Sequence, residues 1–306
     1  MTRRLPKIEP SLFLYLLLGV VFILSVASII CSNEGWRSMS NKIAGNKFGL
    51  SSSRIVTKPL STTVPNLSLT PKATPMPLTF AEMNALFGPC VHLPVLFYHH
   101  IQSREAAVAN KQTALTVYTD IFRNQMEYLK SHGYNVIGMD RLISFFDNGS
   151  EIPPRSVLLT FDDAYQDLYT DAYPILQSVG FHATVFVPTG LIGNPDYLTW
   201  NEIANMNGPI LFANHTWSHA NVAVGAQKMR FEIATADSQL AELGLNSQKI
   251  FAYPYGVDSS QAESYLSRLG YKAAFTTVPG SFLCKKQRFN LPRIRIGNVN
   301  LSYYDF

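Results

Sequence analysis

Apolar residues fall along this chain in blocks of two very different lengths. The first, Leu12–Ile30, is uncharged and about as long as the roughly 20 residues a helix needs to cross a hydrocarbon core. From Pro94 onward the blocks are short and rich in β-branched and aromatic side chains: 94–98, 156–161, 183–187, 210–213, 250–253 and 273–275. Runs this short predict buried strands, and Val136-Ile137 adds another. Between them the spacing turns helical. Phe122, Met126 and Leu129 share one helix face that stops near His132-Gly133, and Leu142–Phe146 stops at Asn148-Gly149. Further helices are predicted over 169–179, 229–243 and 262–269. Strands that are apolar throughout and alternate with helices predict one α/β domain, 90–306, on a parallel sheet or barrel.

The long apolar block is preceded by Arg3, Arg4 and Lys7. Basic flanks stay in the cytoplasm, so residues 1–31 read as a cytoplasmic N-terminus and transmembrane anchor. Everything after Cys31 is then expected outside the cell membrane. Ser25-Val26-Ala27 also has the small-x-small form of a cleavage site, and cleavage after residue 27 would give a secreted protein instead. Residues 32–89 carry scattered Ser, Thr and Pro without a periodic apolar face, the composition of a linker. Near its end, Thr79 followed three residues later by Glu82 predicts a short capped helix to Phe87.

Composition narrows the function classes. The chain has 306 residues, 47% of them hydrophobic, which suffices for one sizeable core. Its net charge of +4 is partly spent on the N-terminal tail. No basic stripe with interleaved aromatics is present, so nucleic acid is not an expected partner. The cysteines, Cys31, Cys90 and Cys284, sit in no CxxC and beside no histidine. A thiol nucleophile or cysteine metal site is not expected. Cys90 and Cys284 are free to pair in an oxidising compartment, but spacing leaves that open.

Three segments place polar groups at predicted strand ends, where parallel α/β architectures build their sites. In Thr160-Phe161-Asp162-Asp163, adjacent carboxylates repel unless a cation lies beside them; the plain alternative is one helix cap and one solvated acid. In His215-Thr216-Trp217-Ser218-His219, imidazoles four apart converge if the backbone makes one turn; otherwise they are satisfied polar residues. Together the two segments supply one carboxylate and two imidazoles, a sound set for a Zn²⁺-like ion, with a second carboxylate left to accept a proton. In Tyr253-Pro254-Tyr255-Gly256 the strand breaks on a turn that could present a backbone N–H to an oxyanion. Such turns are common for structural reasons alone.

In this order the three segments resemble the first motifs of the NodB-homology polysaccharide deacetylases, carbohydrate esterase family 4. The resemblance spans about 93–297. It implies a distorted (β/α) barrel with fewer than eight repeats, a divalent metal, most often zinc, and hydrolysis of acetyl groups on a polysaccharide. It further implies that Asp162 is the general base, that Asp163, His215 and His219 bind the metal, and that the Tyr255 amide lines the oxyanion hole.

The sequence departs from the family pattern in three places. Ala164 stands where Gly is usual, Ala252 where an Arg is usual, and Leu291-Pro292-Arg293-Ile294 where a Leu-x-His supplies the acid. The segment 96–101, Leu-Phe-Tyr-His-His-Ile, resembles the opening strand of the poly-N-acetylglucosamine de-N-acetylase subgroup. That resemblance makes His99 the candidate acid, ahead of His100. Arg293 is the candidate replacement for the missing Arg, holding Asp162 ionised; the plainer reading is a surface arginine. Trp200 and Trp217 read as core or groove wall, with sugar stacking as the alternative, and 102–114 as a candidate lid. The competing reading of the whole chain is a non-catalytic glycan-binding protein on a degenerate deacetylase scaffold. A glycosidase is disfavoured, because neighbouring carboxylates cannot flank one bond at about 5–9.5 Å.

Overall fold

The computed structural model describes residues 77–304. The span expected at 12–30, the cleavage site, Cys31 and most of the linker lie outside the described residues. Among those described, no helix is long and apolar enough to cross a membrane.

The chain enters through helix α1 (Phe80–Phe87), which starts ahead of residue 90. Thr79 and Glu82 form a reciprocal capping box there, with Thr79 Oγ1 accepting from Glu82 N at 3.3 Å and Glu82 Oε2 accepting from Thr79 N at 2.7 Å. Next come β1 (Cys90–His92), β2 (Val95–Tyr98), β3 (His100–Gln102), α2 (Arg104–Ala109), β4 (Thr116–Tyr118), α3 (Thr119–Ser131), β5 (Asn135–Val136) and α4 (Met139–Asn148). Then follow β6 (Ser156–Phe161), a π-helical turn at Leu168–Ala172 running into α5 (Tyr173–Val179), β7 (Ala183–Val187), α6 (Trp200–Met206), β8 (Ile210–Asn214) and α7 (Ala226–Glu242). The last elements are β9 (Ile250–Ala252), α8 (Ser260–Arg268), β10 (Ala273–Pro279), β11 (Phe282–Cys284) and β12 (Leu291–Arg295).

Seven parallel strands close a barrel in the order β2, β6, β7, β8, β9, β10, β12 and back to β2. Side chains alternate across a strand, and here the alternation separates two packing environments. Val95, Leu158, Phe186, Ala213, Ala252, Phe275 and Leu291 cluster inside, where Met139, Leu142 and Phe146 of α4 join them. Their neighbours Leu96, Tyr98, Leu159, Phe161, Val185 and Phe212 pack outward with α3, α5 and α6. This parity decides which polar residues reach the mouth.

Strand β12 is not among the strands expected from the sequence, where Pro292, Arg293 and Arg295 interrupt the apolar run. The structure seats it between β10 and β2, and the register with β10 shifts between Phe275 and Pro279. A shifted register is how a sheet tolerates a proline without an N–H. The candidate lid is folded: Ser103 caps α2, β3 pairs with β4, and Gln102 Nε2 donates to Gln112 Oε1 at 2.8 Å. Cys90 and Cys284 form a disulfide between the paired strands β1 and β11.

Candidate active site

The inward parity of β6 continues from Leu158 through Thr160 to Asp162, and that of β12 from Leu291 to Arg293. Arg293 is fully buried and meets Asp162 as a two-pronged pair, Nη1 to Oδ1 at 2.8 Å and Nη2 to Oδ2 at 2.7 Å. Two further donors are used, Nε to Thr276 O at 2.9 Å and Nη1 to Thr160 Oγ1 at 3.2 Å. The guanidinium lies over the Phe97 ring at 4.4 Å. Burial pushes the Asp162 carboxyl up, but Arg293 outweighs it and holds the group below the usual carboxylate range. A charged carboxylate is thereby kept in a buried wall.

Asp163 follows with φ +73, and Ala164 with φ +55. These left-handed angles turn the Asp163 side chain away from Asp162 and explain why glycine suits position 164. Thr216 at φ +68 and His219 at φ +57 do the same for the loop after β8. Left-handed non-glycine residues each cost about 1–3 kcal/mol, and their concentration here marks a strained, function-bearing rim.

That rim brings one carboxylate oxygen and two imidazoles together. Asp163 Oδ1 lies 3.5 Å from His215 Nε2 and 3.1 Å from His219 Nε2. One ligand atom from each of the three residues falls within 4.8 Å of the others. Asp163 Oδ1 is nonetheless a buried acceptor with no hydrogen bond. His215 Nδ1 lies 2.8 Å from the Ala252 carbonyl, which can only accept, so Nδ1 carries the proton and Nε2 turns a lone pair inward. Bonds of 2.0–2.1 Å to a tetrahedral ion place ligand atoms about 3.3 Å apart, which matches the spacing. The three residues fit a zinc-like divalent ion. Burial raises the Asp163 carboxyl, but His215 and His219 hold it far below its usual range. Burial first, and then His215, push His219 down to about 4, leaving it unprotonated near neutrality.

The other expected residues divide. His99 follows Val95 and Phe97 in inward parity, and Asp162 N donates to Tyr98 O at 2.9 Å, so His99 stands beside Asp162. Burial lowers its pKa against the opposing pull of Asp162 and Asp163. His100 points elsewhere: Nδ1 meets Asp167 Oδ2 at 2.6 Å and the ring stacks on Tyr165 at 3.6 Å. Tyr255, at φ +61, is 65% exposed and stands edge-on to His219 at 4.7 Å. Gly256 is required behind it, since a Cβ there would collide with Thr277. Trp217 packs edge-on against Phe231 at 5.5 Å, and Trp200 joins the outer core.

Sequence reasoning missed Glu232. It is buried on α7, and its carboxylate accepts from Ser218 N at 2.8 Å and Ser218 Oγ at 2.7 Å, while its carbonyl accepts from Trp217 N at 3.0 Å. It braces the turn between His215 and His219. An acid among the apolar positions Met229, Ile233 and Ala236 of one helix face was the available signal. Tyr165 and Tyr197 were also missed; burial, and then the Asp163 charge, push both phenols up.

The sequence profile of a family described as polysaccharide deacetylase matches residues 149–274. A solved structure of the Streptococcus pyogenes deacetylase PplD, in complex with acetate, superposes with a TM-score of 0.62 at 30% identity, covering 68% of this chain and 93% of that one. The poly-β-1,6-N-acetyl-D-glucosamine N-deacetylase of Staphylococcus aureus is 28% identical over 193 residues, 58% of this chain and 66% of its own. Its counterpart from Escherichia coli is 26% identical over 257 residues, 68% of this chain. Only 37% of that longer protein is spanned.

Proposed function

This chain belongs to the polysaccharide deacetylase family, and from that premise we propose that it removes N-acetyl groups from a cell-surface polysaccharide, poly-N-acetylglucosamine or a related glycan, with a divalent metal. The observation that carries the reading is the buried Arg293–Asp162 pair standing against the Asp163, His215 and His219 cluster. A glycan-binding scaffold has no use for a carboxylate held ionised in a buried wall beside three convergent ligands.

Asp163, His215 and His219 would hold the ion, which supplies Lewis acidity towards the acetyl carbonyl and the attacking water. Asp162 takes a proton from that water as its oxygen adds to the carbonyl carbon. Arg293 keeps both Asp162 oxygens oriented throughout. The Tyr255 amide is assigned to donate to the oxygen that gains charge. His99 gives a proton to the departing nitrogen, so that the C–N bond breaks to acetate and a free amine. Burial lowers the His99 pKa, and the proton it delivers is balanced by the one that Asp162 takes from the water.

The relatives named for poly-β-1,6-N-acetyl-D-glucosamine support a glucosamine-type substrate. The apolar block before the linker supports a single-pass anchor that holds the domain outside the cell, with secretion after cleavage as the other outcome. The test is acetate release from N-acetylglucosamine oligomers by the full chain, with added Zn²⁺, after chelation, and for Asp162→Asn. Metal-dependent release that Asp162→Asn abolishes is expected. A folded, metal-loaded protein that releases none from several acetylated glycans would instead be a binding scaffold.

A further inference from the structure

His99 also lines a cleft of about 450 Å³ between the 113–116 and 295–298 segments. His99, Arg295, Thr113, Thr116, Asn298 and Tyr304 are among its walls, and none of its lining residues is acidic. Strand parity explains Arg295. It lies two residues beyond Arg293 on β12, on the same face and one pleat nearer the rim. Pairing of Arg295 with Phe97, and of Ile296 N with Phe97 O at 3.2 Å, sets it alongside the strand that ends in His99.

Although exposed, Arg295 is tethered at one nitrogen. Arg295 Nη2 donates to the Ala114 carbonyl at 2.8 Å. The two walls are tied together by Asn298, whose Nδ2 donates to Thr116 O at 2.9 Å and whose Oδ1 accepts from Tyr118 N at 2.7 Å. Buried Gln125 holds the second wall from behind, donating to Gly297 O at 2.9 Å and Val299 O at 2.8 Å. Unlike Arg293, Arg295 forms no ion pair among the described residues. A tethered guanidinium with free donors, in a cleft without carboxylates, suits a carboxylate.

We infer that this cleft is a sugar subsite next to the reacting N-acetyl sugar, and that Arg295 reads a carboxylate on the sugar bound there. The inference rests on the deacetylase reading of the neighbouring site. It narrows the substrate from an uninterrupted neutral polymer to a glycan in which an acidic sugar adjoins the acetylated one. His99 borders both spaces, so the occupant of the cleft would abut the departing amine.

Two soluble substrates decide it: a neutral N-acetylglucosamine oligomer, and an oligosaccharide of the same length with a carboxylate-bearing sugar beside each N-acetylglucosamine. Each is assayed for acetate release and, by calorimetry, for binding to the full chain. The unmodified protein is expected to favour the carboxylated oligomer about tenfold, through KM, as suits one charge-assisted contact. Arg295→Gln should erase that preference by raising KM for the carboxylated oligomer alone, and Arg295→Lys should keep part of it. Equal effects of Arg295→Gln on both oligomers, or a preference for the neutral one, would overturn the inference. If neither oligomer is turned over, Arg295-dependent binding of the carboxylated oligomer still decides the subsite, and the deacetylase reading stands or falls by its own test on several acetylated glycans.

Discussion

Replacing Arg293 with methionine tests the centre of the argument. Arg293 is fully buried and gives four hydrogen bonds, two to Asp162 and one each to Thr160 and Thr276. Methionine fills most of the volume but leaves the Asp162 carboxylate buried without a partner. Breaking a buried pair in this way costs about 3–5 kcal/mol, a large share of the roughly 5–15 kcal/mol that holds a domain folded. Denaturant unfolding of Arg293→Met, Asp162→Asn and the double variant measures the coupling. The single Arg293→Met should lose about that amount at neutral pH, and adding Asp162→Asn should return most of it.

The pH dependence carries a definite sign. In the native protein the Asp162 pKa is lowered, so its contribution is complete above the unfolded value of about 3.9 and is lost as pH falls through the folded one. In Arg293→Met the main influence opposing burial is gone, leaving only the lesser pull of His215 and His99, so that pKa rises and the variant's deficit should shrink on acidification. Bound metal should be unchanged, because Arg293 touches none of the three ligands. A coupling below about 0.5 kcal/mol, or a deficit independent of pH, would refute the claim that Arg293 keeps Asp162 charged.

Two further outcomes follow from the same geometry. Glu232→Gln removes the charged acceptor that holds Ser218, so metal affinity should fall about ten- to a hundredfold, as for other residues that orient ligands. Competition with a chromophoric chelator measures it, and an unchanged affinity would show that the turn holds its shape without Glu232. The Cys90–Cys284 disulfide closes a loop spanning 194 positions. Chain entropy assigns such a loop about 5 kcal/mol. A Cys90→Ser, Cys284→Ser double variant should therefore unfold at clearly lower denaturant, and an unmoved midpoint would count against that stabilisation.

The sequence by itself determined what depends on neighbours along the chain. Apolar runs gave the strands that carry Asp162 and His215, and the Thr79–Glu82 spacing gave the first helix. The residue types of the metal cluster were also legible, because both motifs are short and contiguous. Only the tertiary structure decided the rest. Strand β12 is invisible locally, since Pro292, Arg293 and Arg295 interrupt the apolar run that β10 and β2 enclose. Arg293 reaches Asp162 across a separation of 131 residues. His100 is drawn off by Asp167, and Glu232 is drawn in by Ser218, through contacts that no spacing encodes. Local pattern fixes that side chains alternate along a strand, and barrel closure fixes which face is inward and what it meets there.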